Sequence, residues 1–193
     1  YRDGDREIET LVSLFRSVSV YSYPSLSSEF DELLQFAAIG TIADLMPMKD
    51  ENRIIVRRGL KMLAEKPLNC FKYLLGKQNL AGKKLNTHDI SFYVAPVMNA
   101  AGRMGNPMAA LSLLLTDDLS EAEGFADTLL QMNRERQKGE EDALETVRTL
   151  AFDSFEKLGG RMVIVSDPEM PRGLTGAIAS KLSKQYSVPC IVM

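Results

Sequence analysis

The sequence has 193 residues, of which 45% are hydrophobic and 25% are charged, proportions typical of a soluble globular protein. A chain of this length can bury one sizeable core or two small ones. No run approaches the roughly eighteen apolar residues of a membrane-spanning helix, so we expect no membrane partner. The net charge of −3 argues against a protein that wraps nucleic acid. It is compatible with a metal-dependent nuclease, which needs carboxylates and only local basic contacts to phosphate.

Cysteine and histidine are scarce in this chain. Cys70 and Cys190 lie far apart in apolar surroundings; a disulfide remains open, but we expect two reduced thiols in a cytoplasmic protein. One histidine cannot complete a Cys/His zinc cluster, and we expect His88 on the surface at the start of a helix. The sequence has neither an initiator methionine nor a secretion leader, and it ends within an apolar run. We therefore expect an internal fragment of a longer protein.

Helical periodicity dominates the first 115 residues. Apolar residues recur three and four positions apart, which predicts helices over 8–18, 28–44, 52–64 and 71–75, and two more between 87 and 115 that are interrupted at 102–107. Ser28 followed by Asp31 predicts the N-terminal cap of the second helix, and Pro47 cannot continue that helix. A loop rich in glycine and lysine is predicted over 76–86.

A long helix is predicted from about residue 120 to residue 158. Ser120 and Glu123 form a Ser-x-x-Glu capping box at its start. Its apolar residues form two separate patches, and 133–142 contains no large apolar residue, a pattern typical of a helix that bridges two bodies through solvent. Unbroken, it would be about 57 Å long. A kink at Gly139 is the alternative, because glycine weakens a helix by about 1 kcal/mol relative to alanine.

The pattern changes after Gly159 and Gly160. Apolar runs at 162–165 and 188–193 flank a helical stretch at 173–186. Strand, helix and strand in this order predict a βαβ unit with parallel strands. The fold class is therefore α/β: a helical body, a long connecting helix, and the start of an α/β domain.

Three stretches carry residues suited to chemistry. Asp44 ends an apolar helix in Gly-Thr-Ile-Ala-Asp, where a metal ligand and a capping or salt-bridged aspartate are both open. Arg103 follows small residues in Asn-Ala-Ala-Gly-Arg, which suits phosphate recognition together with Asn99. A tight turn with Arg103 paired to a carboxylate is the alternative. Arg172 and Gly173 begin a strand-to-helix junction that favours either an anion or close packing of the helix on the sheet.

The order of these motifs resembles the RecJ-like exonucleases of the DHH superfamily. The matching stretches are 38–47, 51–53, 89–96, 99–103, 115–118 and 132–137. The resemblance covers the chain from about residue 30 to residue 193. Its Asn-Ala-Ala-Gly-Arg element is typical of the RecJ-like branch, as against the pyrophosphatase and dinucleotide-phosphodiesterase relatives.

The resemblance implies a metal-dependent exonuclease that degrades single-stranded DNA, or RNA, in the 5′-to-3′ direction, serving repair or recombination. Asp44 would be a catalytic ligand in a two-metal site for Mn²⁺ or Mg²⁺, where the metals activate water and stabilise the leaving oxygen. Arg103 would contact substrate phosphate. The implied domains are 1–118, the helical end of the DHH catalytic domain; 119–158, the connecting helix; and 159–193, the start of the DHH-associated substrate-binding domain. Replication or repair proteins are further expected partners.

Two departures from the family pattern limit this implication. The Asp-His-His element and the other aspartate ligands of the family precede the matching segment, and one carboxylate does not hold two metals. The His-Pro-Gly of the family is replaced by Pro171-Arg172-Gly173, so Arg172 would supply a different phosphate contact. We therefore expect the chain alone to be inactive. The alternative function is a noncatalytic RecJ-like scaffold that binds nucleic acid or replication partners.

Overall fold

The computed structural model of the protein describes residues 26–193. Within this range the chain is mainly helical, with one small sheet near its end. The elements are α1 (Leu26–Ala43), α2 (Asp50–Glu65), α3 (Asn69–Lys77), α4 (Thr87–Asp89), a π-helical turn (Ile90–Val94), α5 (Ala95–Arg103), α6 (Pro107–Leu115), α7 (Leu119–Lys157), β1 (Val163–Val165), α8 (Arg172–Tyr186) and β2 (Cys190–Val192). The helix predicted over 8–18 lies outside the described residues.

The helices occur where periodicity predicts them, but two predicted caps are wrong. Helix α1 begins at Leu26, so Ser28 lies within it. Helix α7 is capped by Asp118, two residues before the predicted cap, and the Asp118 side chain accepts the backbone N–H of Glu121 at 2.9 Å. The Asp118 carboxylate thus satisfies one free N–H group of the first turn, while the Glu121 carboxylate accepts the Thr116 hydroxyl instead of closing a capping box.

Helices α1 and α2 pack against each other at a very short distance. Gly59 of α2 faces the carbonyl oxygen of Leu34 and the Cβ of Ala38 so closely that a Cβ at position 59 would overlap both atoms. The remaining helices up to the first third of α7 close around this pair. Their shared core includes Phe71, Leu74, Ile90, Leu113 and Leu129.

Helix α7 runs unbroken for 39 residues, or about 58 Å, so Gly139 does not interrupt it. Its first part packs in the helical core, and Val147 and Ala151 pack in a second cluster with β1 and α8. Most of its centre is exposed as predicted, at 134, 135, 137, 138, 141 and 142, but solvent does not surround it. Helix α8 covers one face: Leu174 Cδ1 lies 3.4 Å from where a Cβ on Gly139 would stand, and Glu140 is buried.

The last third of the chain forms the predicted βαβ unit. Strands β1 and β2 are parallel, with Val163 opposite Cys190 and Val165 opposite Val192, and α8 connects them. Both cysteines are free thiols, and burial raises the pKa of Cys70 to about 11. None of the described helices is both long and apolar enough to cross a membrane.

Two glycine substitutions test the packing of α1 on α2. Gly59→Ala should lower the free energy of unfolding by about 1–3 kcal/mol, because the new methyl group forces the two backbones apart. Gly124→Ala is the matched control: it lies within α7 with no atom near its Cβ position, so it should raise stability by about 1 kcal/mol. Urea unfolding followed by circular dichroism measures both. Equal effects of the two variants would contradict the close helix contact.

Candidate functional site

A cleft of about 300 Å³ lies where four parts of the fold meet. They are the end of α1, the π-helical turn with α5, the middle of α7, and α8. The polar residues that line the cleft are Ser91, Asn99, Arg103, Arg136 and Glu140. The cleft therefore joins the helical body to the βαβ unit, and it contains two of the residues predicted from the sequence, Asn99 and Arg103.

Asn99 and Arg103 are one helical turn apart on α5, so both side chains reach the same face. Both are exposed. Arg103 Nη1 donates a hydrogen bond to the carbonyl oxygen of Gly173 at 3.3 Å. No carboxylate of the described residues pairs with Arg103, so the salt-bridged alternative that the sequence left open finds no partner within 26–193. A guanidinium has five N–H donors, and most of these remain for a ligand.

Gly173 brings the start of α8 against the end of α5. A Cβ at this position would overlap the carbonyl oxygen of Arg103 and would stand 3.4 Å from its Cα. Only glycine allows this approach. Of the two alternatives for the junction, an anion site stays a prediction. The close contact at Gly173 is between two helices rather than between a helix and the sheet, and Gly176 has open space around it. Arg172 is exposed at the first position of α8 and stays a prediction as a phosphate contact.

Asp44 occupies the C-cap of α1. The Met46 N–H donates to the Thr41 carbonyl and the Leu45 N–H to the Ile42 carbonyl, each at 3.1 Å, which is the hydrogen-bond pair of a Schellman motif. This motif needs a left-handed residue after the cap. Leu45 adopts that conformation with φ of 54°, at a cost of about 1–2 kcal/mol for a side chain with a Cβ.

The Asp44 carboxylate is exposed at the negative end of the α1 dipole, where a negative charge is disfavoured. Within residues 26–193, no ion pair or side-chain hydrogen bond reaches this carboxylate. Of the alternatives left open by the sequence, Asp44 does occupy a helix cap through its backbone, while its carboxylate has no salt-bridge partner among the described groups. Ala43 and Leu45, on either side of it, line the cleft, so Asp44 stands at the cleft edge.

Sequence reasoning missed a buried charge cluster in the middle of α7. Glu140 is only 7% exposed; it pairs with Arg136 on its own helix and with Lys181 of α8, the latter at 3.2 Å. Asn133 Oδ1 accepts from Arg136 Nε and Nη2 at 3.3 and 3.1 Å. The sequence feature that could have revealed this cluster is the spacing of three polar residues at 133, 136 and 140, which places them on one helix face.

The described residues do not form a metal centre by themselves. No group of three or more histidine, cysteine, aspartate or glutamate side chains in 26–193 is arranged to hold a metal ion. Asp44 supplies one carboxylate at the cleft edge, and Glu140 is already neutralised by two cations. The two-metal site implied by the family resemblance therefore does not fit this part of the chain alone.

Comparison with known proteins shows that this chain is similar to one part of several exonucleases. The chain is 36% identical over 167 residues to the single-stranded-DNA-specific exonuclease RecJ of Bacillus subtilis (strain 168), which corresponds to 84% of this chain and 20% of that relative. With RecJ of Thermus thermophilus it shares 33% identity over 151 residues, 78% of this chain and 22% of the relative. No family model matches the chain.

Solved structures show the same similarity. The crystal structure of Thermus thermophilus RecJ in complex with Mn²⁺ matches with a TM-score of 0.75 and 32% identity, over 84% of this chain and 24% of that one. Its Mg²⁺ complex matches equally well over 84% and 25%. The chain thus spans about a quarter of the length of these relatives. The resemblance to RecJ and the α/β fold class are confirmed.

Replacing Glu140 tests the buried charge cluster. Glu140→Ala should lower the free energy of unfolding by about 3–5 kcal/mol, because the partly buried Arg136 loses its carboxylate partner. Glu141→Ala is the matched control: this neighbouring glutamate is exposed, and its removal should change stability by less than about 0.5 kcal/mol. Thermal and urea unfolding measure both variants. If Glu140→Ala unfolds as Glu141→Ala does, the cluster does not hold α8 on α7.

Proposed function

We propose that this chain is the substrate-binding segment of a metal-dependent exonuclease that hydrolyses phosphodiester bonds of single-stranded DNA from the 5′ end, in repair or recombination. The observation that carries the proposal is the position of Arg103, in a cleft between the helical body and the βαβ unit. The named function of the RecJ relatives supports it. The free thiols support a reducing compartment such as the cytoplasm.

Arg103 has the geometry of a phosphate ligand. Its contact with the Gly173 carbonyl orients the guanidinium without neutralising it, which leaves a fork for two parallel bonds to phosphate oxygens. The charges around the cleft favour an anion, because the three cations Arg103, Arg136 and Lys181 outnumber the two carboxylates, Glu140 in the cleft and Asp44 at its edge. A strand of DNA would present a phosphate here with Asn99 one turn away.

Asp44 is proposed as one metal ligand among several. A carboxylate at a helix C-terminus is electrostatically unfavourable, and a divalent cation would offset that cost. Mn²⁺ and Mg²⁺ prefer carboxylate oxygen, and RecJ relatives have been solved with both ions. When bound, such ions activate water and stabilise a leaving oxygen. Arg103 and Asn99 would hold the phosphate, and their role does not depend on which metal is bound.

The domain assignment is also a proposal. The helical end of the catalytic domain would comprise 1–118, the connecting helix 119–158, and the start of the substrate-binding domain 159–193. The separation of the hydrophobic residues into two clusters along α7 supports this division. Arg172 would then present its charge to the strand from the second domain.

We expect the 193-residue chain alone to lack nuclease activity. Asp44 is the one carboxylate that the resemblance assigns to the metal site, and a two-metal displacement needs more ligands than this. Incubation with labelled single-stranded DNA and Mn²⁺ or Mg²⁺ measures cleavage. Robust metal-dependent cleavage that disappears in Asp44→Ala would overturn this expectation and would show that the chain holds a working centre.

The parent enzyme, with the rest of its sequence restored, allows Arg103 and Asp44 to be distinguished. Arg103→Ala should lose about 2–4 kcal/mol of transition-state stabilisation in kcat/KM, as for removal of one electrostatic donor. Arg103→Lys should recover only part of this loss in kcat/KM, because lysine has the charge but cannot form two parallel hydrogen bonds. Asp44→Ala should weaken metal binding instead. Excess Mn²⁺ should therefore partly restore cleavage by Asp44→Ala and leave cleavage by Arg103→Ala unchanged.

The control for these variants is Arg148→Ala, an exposed arginine of α7 that pairs with Glu145. Cleavage and melting temperature are measured for each protein at several Mn²⁺ concentrations. Normal cleavage by a well-folded Arg103→Ala enzyme would refute the phosphate assignment. A large fall in its melting temperature would mean that Arg103 is a structural residue.

A further inference from the structure

We propose that an aromatic platform formed by His88, Phe92 and Tyr93 binds a second stretch of single-stranded nucleic acid by base stacking, outside the cleft. Phe92 and Tyr93 line a groove of about 370 Å³ together with Asn133, Arg134 and Gln137 of α7. This inference rests on the proposed function, since it extends the path of the same strand. We infer that nucleobases of the extended strand stack on the aromatic rings and that one of its phosphates binds an arginine.

The rings of the platform are arranged to continue a stack. Phe92 is 65% exposed, and the His88 ring lies nearly parallel to it at 4.3 Å between centroids with 23° between planes. Tyr93 meets His88 edge-on at 6.3 Å. With His88 on one face of Phe92, a nucleobase on the other face would extend the stack, an interaction that every base can make.

The platform is turned away from the protein core. Ile90 and Val94, which begin and end the π-helical turn, are buried. Phe92 and Tyr93 lie between them and are exposed. A single π-helical turn within an α-helix often marks a functional site. Phe92 stays 65% exposed and Tyr93 44% exposed, so neither ring fills the core.

Arg134 is the cation that suits a phosphate beside this platform. It donates from Nε and Nη2 to Gln131 at 3.1 and 2.7 Å, so three of its five N–H donors remain. Lys77 also lines the groove, but it already pairs with Asp127 at 3.6 Å and lies over the Tyr73 ring. The amides of Asn133 and Gln137 add donors and acceptors without a preference for one base.

The groove and the cleft share a wall. Asn133 lines the groove while its Oδ1 accepts from Arg136, which lines the cleft. Ser91 lines the cleft, and the next residue, Phe92, lines the groove. A strand held at Arg103 therefore has a short route to the platform. Continuity with the cleft and the positive charge of Arg134 favour nucleic acid over a protein segment as the occupant.

Binding by the 193-residue chain tests the platform without any need for catalysis. The probe is an oligo-dT of about 15 nucleotides, long enough to span both sites, with one central 2-aminopurine whose fluorescence is quenched when it stacks. Phe92→Ala should lose the quenching and about ten-fold in affinity, while Phe92→Trp should retain both. Phe152→Ala is the matched control, because Phe152 is a similarly exposed ring at the far end of α7.

Salt dependence tests the phosphate contact. Arg134→Gln should reduce the slope of log affinity against log salt by about 0.7, the value for one phosphate of a single strand. Arg148→Gln, an exposed arginine on the same helix, should leave the slope unchanged. Circular dichroism and melting curves confirm that each variant is folded.

Three outcomes would overturn the proposal: no quenching with the wild-type chain, equal binding by folded Phe92→Ala and wild-type chains, or protection of Phe92 from hydroxyl radicals in the parent enzyme before nucleic acid is added. The last would mean that another protein segment covers the platform. Cleavage by the parent separates this inference from the proposed function. If the parent enzyme cleaves DNA and its Phe92→Ala variant binds as tightly as wild type, the platform is refuted and the proposed function stands. If the parent binds DNA at the platform but never cleaves it, the proposed activity is refuted and the platform stands.

Discussion

A buried carboxylate in the middle of a long helix fixes how the two hydrophobic clusters meet. Glu140 cannot stay ionised and buried without partners, and it finds them in Arg136 and in Lys181 of α8. This arrangement holds α8 against the centre of α7, and it thereby brings Gly173 onto the carbonyl of Arg103. The cleft exists because these contacts are satisfied together. Its small excess of positive charge has the same source, since Glu140 pairs with two cations, and Arg103 adds a third against the carboxylate of Asp44 at the cleft edge.

Two neighbouring residues at the site are held in energetically unfavourable arrangements. Leu45 takes a left-handed conformation that glycine would adopt without strain, and Asp44 places a negative charge at the wrong end of a helix dipole. Strained backbone and unfavourable charge often cluster where function requires a particular geometry. The Schellman hydrogen bonds close this turn through the backbone, between two residues, Ala43 and Leu45, that line the cleft.

Sequence periodicity predicted most of the fold, because an apolar stripe every three to four residues depends only on local spacing. It failed at Asp118, where two overlapping capping patterns are chemically equivalent, and at Glu140, whose burial depends on Lys181 of another helix. Asn99 and Arg103 were predicted from their motif, and the structure brings both into one cleft. The platform was missed because neither an apolar stripe nor a matching motif shows that the Phe92 ring is exposed and stacks on His88, one turn earlier.

Because α7 is unbroken, its length fixes both the distance and the rotation between the two hydrophobic clusters. Each residue of an α-helix advances the chain by about 1.5 Å and turns it by about 100°. One inserted or deleted residue between the two hydrophobic clusters would therefore rotate the βαβ unit by more than a quarter turn around the helix axis and carry Gly173 away from Arg103. The number of residues between the clusters is thus as constrained as any side chain in the cleft. Length variation among related proteins should accumulate in the loops, such as 78–86, and be absent from the centre of this helix.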